Sequence, residues 1–337
     1  MMVTKLKHII KGYLQPSALV LMYHRVDASM QDAWNIAVHP DLFEQQLEVL
    51  QTNHNVLPLS ELIERAHKNS LPRNSLAITF DDGYQDNYLQ AKPLLEKYRL
   101  PATFFIATGN TGTVNEFWWD ELEELLLKSP SLPVNFKMTI AGTSIETELA
   151  QESLLDDNLQ SKLRFWKAFV QEPDTQRGKL FLQLWLLIRP LPATEQQQYL
   201  AQLKEWAGGS QEKKNGYKCM TSGQIQELAN HPLFEVGGHT VTHPLLSSLD
   251  RAQQYHELKA NQDTLQEITG KPISTCSFPY GAYNADSLVV VQQMGYAAAL
   301  TTQEKRINHQ TNPFQLGRIQ VPNLSKPDFR QFLSHPR

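Results

Sequence analysis

The apolar run Leu76-Ala77-Ile78-Thr79-Phe80 stops on two adjacent carboxylates, Asp81 and Asp82, followed by Gly83. A strand that ends this way carries two acids to its C-terminal mouth, where one can hold a cation while the other takes a proton. Neighbouring side chains on a strand point to opposite faces, and a glycine at the bend relaxes that alternation so that both acids can serve one site. Taken alone, the stretch reads equally well as an ordinary Asp-Gly turn.

Three further groups stand at the ends of predicted strands. His239 and His243 follow an apolar stretch and a Gly-Gly pair, and precede Pro244. Their i, i+4 spacing puts two imidazoles on one face of a helical turn, which suits joint coordination of one cation. Phe278-Pro279-Tyr280-Gly281 can aim a backbone N–H into a pocket, where it would meet a developing oxyanion. His24 ends the first predicted strand, and an imidazole there could serve as a general acid. Each of these has a bland alternative: a surface histidine, a plain turn, a buried structural histidine. Together they form a set. Asp82, His239 and His243 would supply one oxygen and two nitrogen ligands with positions left open, Asp81 the base, His24 the acid and Tyr280 the oxyanion donor. That set suits metal-assisted hydrolysis of an amide or ester.

The elements needed to hold it are legible. Apolar strands at residues 18–24, 76–80 and 102–107 alternate with helices at about 41–52, from Ser60, and at 92–98. Such β-α alternation predicts a parallel sheet with helices outside. From about 110 to 215 the pattern changes to Leu, Gln, Glu and Trp, with five of the six tryptophans. Phe181, Leu184, Trp185 and Ile188 recur at helical spacing, as do Leu200, Leu203 and Trp206, and a short strand pair is expected around 134–147. The stretch is too long for a structureless loop. The α/β pattern then resumes, with strands at 234–237, 274–278, 296–300 and 316–321. A helix runs from the cap Asp250 to Gly270, and a short one lies at about 329–333.

Bulk properties narrow the rest. A chain of 337 residues with net charge -4 gives no reason to expect nucleic acid. Cys219 and Cys276 are too few and too far apart for a disulfide framework or a zinc finger, and are expected to be small buried hydrophobes. No stretch approaches the roughly 20 apolar residues of a membrane span. Residues 1–17 read as an amphipathic helix with Lys5, Lys7 and Lys11 on its polar face, either packed on the body of the protein or lying on a membrane surface. No secretory signal is read there, so a cytoplasmic, membrane-proximal location is the expectation.

Thr79-Phe80-Asp81-Asp82-Gly83, His239-x-x-x-His243 and Phe278-Pro279-Tyr280-Gly281 resemble, in order and separation, three motifs of the polysaccharide deacetylase family, also called NodB-homology or carbohydrate esterase 4. The similarity covers about residues 18–110 and 216–322. It implies an α/β fold, a distorted (β/α)7 barrel of NodB-homology type, here one domain over 18–337 with a mainly helical insertion at 110–215. It also implies Asp81 as base, Asp82, His239 and His243 as ligands of one divalent ion, usually zinc, and Tyr280 as oxyanion donor. Tyr23-His24 resembles the early Tyr-His of circularly permuted members such as poly-N-acetylglucosamine deacetylases, which implies His24 as acid. An acetylated glycan, attached to a polymer or a lipid-linked precursor, is the implied substrate, with Pro279, Arg318 and Trp118 as expected substrate contacts and Trp118 and Trp119 as candidate stacking rings. Two departures stand out. Ser277 occupies the place where many members carry an arginine that orients the base, with Arg318 the best substitute, and a late Leu-x-x-His motif is not evident. An O-acetyl esterase, a non-carbohydrate amidase and a non-catalytic sugar-binding protein are the rival readings. Oligomeric state is not legible.

Overall fold

The computed structural model describes residues 16–28, 31–209 and 217–334. All but the last two positions of the amphipathic stretch at 1–17 therefore lie outside the described residues.

Seven parallel strands follow one another in the order Ala298–Leu300, Thr275–Ser277, Phe234–Gly238, Ala102–Ile106, Ser75–Phe80, Leu19–Tyr23 and Ile319–Gln320. The Leu19–Tyr23, Ser75–Phe80 and Ala102–Ile106 strands are buried along their whole length. This is what continuous apolar runs without alternation require, since a parallel strand is covered on both faces. Register is set by pairs such as Leu21 with Ile78 and Phe104 with Val236. The sheet curls into a half-barrel of the expected α/β class. A single parallel bridge, Leu300 to Leu316, brings its two ends together. The strand expected at 316–321 is consequently shorter. Leu316 pairs with one end of the sheet and Ile319–Gln320 with the other, and Arg318 crosses between them.

The helices begin and end where their caps dictate. Asp250 and Gln253 form a reciprocal capping box at the start of Arg251–Thr269, and Gly270 closes that helix at φ 67°. Thr221 and Gln224 do the same for Ser222–Asn230. Leu258 and Leu265 of the long helix and Ile225 and Leu228 of the shorter one enter the same apolar core as Phe104 and Phe234.

Between the Ala102–Ile106 and Phe234–Gly238 strands lie the helices Trp118–Glu123, Asp157–Phe165, Gln176–Ile188 and Ala193–Trp206, with an antiparallel hairpin of Asn135–Ile140 and Thr143–Glu148. They enclose a second core containing Leu122, Phe136, Leu163, Phe181, Leu184 and Leu200. Arg177 is buried inside it and donates to the carbonyls of Leu126, Ser129, Glu152 and Ser153, so one side chain ties the segments 126–129 and 152–153 together. Cys219 and Cys276 are free and buried, as expected. No helix of the described residues is long and apolar enough to cross a membrane.

Candidate active site

All four strand-end groups converge at the C-terminal mouth of the half-barrel. The Asp81 N–H still continues the sheet, donating to the Tyr23 carbonyl at 3.0 Å. Asp82 then turns into the left-handed region at φ 72°, and Gly83 follows at φ 87°. A Cβ at Gly83 would press on the Ile106 side chain at 3.0 Å, so the bend needs both the glycine's freedom and its lack of bulk. This bend brings both carboxylates, each almost wholly buried, to one site.

His239 leaves the Phe234–Gly238 strand with its N–H donating to the Ile106 carbonyl at 3.1 Å and to Asn261 Oδ1 at 3.1 Å. The expected helical turn for the histidine pair is not formed. Thr240 and His243 both adopt left-handed backbone, at φ 65° and 55°, so the pair sits on an irregular loop. Side chains of helix Arg251–Thr269 hold that loop. Glu257 accepts from the N–H groups of Val241 and Thr242, each at 2.9 Å, and from the Thr242 hydroxyl at 2.7 Å. Asn261 donates to the carbonyls of Ile106 and Thr240 and to the Thr108 hydroxyl. The two imidazoles still meet, with ring centroids 4.8 Å apart.

One oxygen or nitrogen from each of Asp82, His239 and His243 lies within 4.8 Å of the others. Asp82 Oδ1 stands 3.3 Å from His239 Nε2 and 3.2 Å from His243 Nε2, yet has no aligned hydrogen bond. An orphaned buried oxygen facing two imidazole nitrogens is a donor set that a cation would satisfy. The tautomer also fits. His239 Nδ1 lies 2.9 Å from the Ser277 carbonyl and 2.6 Å from its hydroxyl, and a proton held on Nδ1 leaves Nε2 free to ligate. Burial tends to raise the Asp82 carboxyl, but its contacts with His239 and His243 hold it well below its ordinary value. Burial pushes His243 down, toward the neutral form that binds metal. Because the histidine loop is shaped largely by Asn261, Asn261→Leu is expected to weaken divalent-cation binding about 10–100-fold in a chelator-competition titration. Unchanged affinity would remove Asn261 from this role.

Asp81 has a different partner. Arg318, fully buried, places Nη1 and Nη2 each 2.6 Å from one carboxylate oxygen and gives Nε to the Thr301 carbonyl at 3.0 Å. Burial works to raise the Asp81 carboxyl, and the Arg318 guanidinium and the His239 imidazole outweigh it and hold the group below its ordinary value. The residue standing where a guanidinium was expected, Ser277, thus serves His239, and the guanidinium arrives from the far edge of the sheet. His24 follows the first strand with its carbonyl accepting from Asn87 Nδ2 at 2.8 Å. Its imidazole acts electrostatically on both Asp81 and Asp82, and its buried Nδ1 has no hydrogen-bond partner. Tyr280 takes φ 57° and lays its ring 4.6 Å from that of His243.

The expected substrate contacts need correcting. Trp118 is only 3% exposed and packs against Trp119 and Trp185, so it offers no face to a sugar. Trp119 is likewise buried. Its Nε1 donates to the Tyr84 hydroxyl, which in turn donates to Asp120, and its ring backs His243 at 4.6 Å. Pro279 is buried at the start of a short turn, and both terminal nitrogens of Arg318 are committed to Asp81. Sequence reasoning missed Glu257 and Asn261 altogether. The one available signal was an asparagine in the apolar stripe of a helix, between Leu258 and Leu265.

Comparison with known proteins points one way. The family model described as "Polysaccharide deacetylase" matches residues 68–128 and 203–299. Poly-beta-1,6-N-acetyl-D-glucosamine N-deacetylase of Staphylococcus aureus is 34% identical over 129 residues, covering 34% of this chain and 44% of that protein. The Staphylococcus epidermidis protein of the same name is 34% identical over 116 residues, covering 31% of this chain and 40% of its own. The chain thus spans less than half the length of the curated relatives it matches. Among solved structures, Streptococcus pyogenes deacetylase PplD in complex with acetate aligns with TM-score 0.58 at 19% identity, over 94% of this chain and 98% of that one. IcaB from Ammonifex degensii aligns with TM-score 0.58 at 17% identity, over 95% and 98%. At these identities the structural likeness is one of fold.

Proposed function

We infer that this chain, which belongs to the polysaccharide deacetylase family, is a metal-dependent hydrolase that removes acetyl groups from the N-acetylated sugars of a poly-N-acetylglucosamine-type polymer or its precursor. The observation that carries this reading is the division of labour between adjacent acids: Asp82 faces two imidazoles while Asp81 is paired with Arg318. The substrate class rests on the names of the staphylococcal relatives.

A divalent ion, with zinc the expected one, would be held by Asp82, His239 and His243 and would supply Lewis acidity at the acyl oxygen and a more acidic water. The chain's own residues do the rest. Asp81, kept ionised by Arg318, takes a proton from the attacking water. As the water oxygen bonds to the acyl carbon, the Tyr280 N–H meets the negative charge growing on the acyl oxygen. The carbon–nitrogen bond then breaks and His24 protonates the departing amine. Acetate and a free amino sugar result.

The test is metal analysis of the purified chain combined with acetate-release assays on N-acetylated and O-acetylated oligosaccharides. The expected result is a bound divalent ion and chelator-sensitive acetate release from N-acetylated β-1,6-linked glucosamine oligomers. Release from O-acetyl esters alone would replace this reading with an esterase.

A further inference from the structure

The rings beside His243 do not stop at Tyr280. Trp185 stands 6.0 Å from Tyr280, Phe169 stands 5.2 Å from Trp185, and Trp34 lies tilted on Trp185 at 4.9 Å and stacks on Phe169 at 6.2 Å. The aromatic series therefore runs from a candidate metal ligand through the buried Trp185 out along the insertion, and it ends in the open. Phe169 is 62% exposed, between Ala168, which is buried, and Val170, which is exposed. Its backbone is left-handed at φ 61°, a conformation that costs a bulky residue of order 1–3 kcal/mol. The segment carrying it is not loose. The Ala168 N–H donates to the Ala33 carbonyl at 2.8 Å, Lys167 Nζ to the Asp32 carbonyl at 2.5 Å, and Trp166 Nε1 to the Gln171 carbonyl at 3.0 Å. A large ring is thus held outward by a fixed and strained loop, where burial would have been the stable choice.

Arg189 adds a second kind of chemistry. It caps the Gln176–Ile188 helix and lays its guanidinium 4.4 Å from the Trp185 ring and 5.7 Å from that of Tyr280. That guanidinium forms no ion pair or hydrogen bond among the described residues, and neither Arg189 Nε nor Trp34 Nε1 has an acceptor. An apolar face alone would suit a lipid as well as a sugar. Aromatic rings next to unpaired N–H donors suit a pyranose, which presents C–H bonds on its faces and hydroxyl and amide oxygens at its rim.

We propose that Phe169 and Arg189 of the insertion, backed by the buried Trp185 and flanked by Trp34, form a subsite for a sugar residue at least two units away from the one that is deacetylated. This rests on the glycan-deacetylase reading above, and it makes the insertion the part of the chain that distinguishes a polymer from a short fragment. Trp185 lies in the insertion's core, so Phe169 and Arg189 are the residues to alter.

The experiment compares wild type, Phe169→Ala, Arg189→Gln and the control Leu154→Ala, an equally exposed insertion residue outside the ring series. Acetate release is measured on a β-1,6-linked N-acetylglucosamine pentamer and dimer. Binding of the pentamer to metal-stripped protein is read separately by tryptophan fluorescence. Phe169→Ala and Arg189→Gln are expected to lower kcat/KM on the pentamer about 3–10-fold, to leave the dimer unchanged, and to weaken the fluorescence response; Leu154→Ala is expected to match wild type. Equal losses on both lengths, or no loss on either while wild type binds and deacetylates the pentamer, would overturn the subsite alone. Wild type that neither binds nor deacetylates the pentamer would overturn the underlying reading with it. Length-independent turnover together with Phe169-dependent binding to phosphatidylglycerol vesicles would reassign this face to a lipid surface.

Discussion

Asp81→Asn is expected to lower kcat by about 10²–10⁴-fold while the divalent ion remains bound. The amide cannot accept the water proton, whereas the three candidate ligands, Asp82, His239 and His243, are untouched. The substitution also has a structural cost. Arg318 would keep a hydrogen-bond acceptor but lose its counter-charge in a fully buried setting, at a cost of up to about 3–5 kcal/mol. Turnover is therefore measured well below the unfolding temperature of the variant, with metal content and circular dichroism recorded on the same sample. Wild-type turnover in a folded, metal-loaded Asp81→Asn protein would remove Asp81 as the base and require another proton acceptor at the site.

Arg318→Met should produce the largest loss of stability, about 3–5 kcal/mol, because it leaves a buried carboxylate without its bidentate partner. Lysine should rescue only part of this, since a single ammonium cannot span both oxygens. The pH dependence has a definite sign. In the intact chain burial works to raise Asp81, and Arg318 and His239 overcome it, so the folded carboxyl lies below its unfolded value. A depressed carboxylate contributes stability that is present above its unfolded value and lost as pH falls through its folded value. Without Arg318, burial is opposed by the imidazoles and a long 3.4 Å bond from the Ser277 hydroxyl, and the carboxyl rises, so the variant loses stability as pH increases. The Tm gap between wild type and Arg318→Met is expected to be widest near neutrality and to narrow in acid. A gap independent of pH would mean that Arg318 acts through packing and its bond to Thr301, not through Asp81.

Much of the site was legible because it is local. The apolar run into Asp81-Asp82, the spacing of His239 and His243, and the Pro-Tyr-Gly turn are each written within a few residues, at the end of a strand that its own composition announces. The sheet likewise follows from apolar runs and caps such as Asp250 and Gly270. What was not legible depends on contacts far apart in sequence. Arg318 could be named as a candidate, but its place on Asp81 depends on the sheet curling until Leu316 meets Leu300. The histidine loop reads as a helical turn by spacing alone, and it is Glu257 and Asn261, presented from another element, that select the irregular form. Trp118 and Trp119 could have faced the groove or the core with the same sequence. Their direction was decided by the second hydrophobic cluster, to which Leu122, Phe181 and Leu184 also belong.

Asp82, Thr240, His243 and Tyr280 all hold left-handed backbone, with φ between 55° and 72°. Each such residue costs of order 1–3 kcal/mol, which a glycine at the same position would largely avoid. A screen that rewarded only a higher unfolding temperature would therefore drift toward glycine or asparagine at these four positions and select, step by step, a hardier protein that no longer works. For breeding a heat-tolerant form of this protein that keeps the proposed activity, the mouth of the half-barrel should be held fixed and variation confined to the sheet's outer helices and the remote face of the insertion.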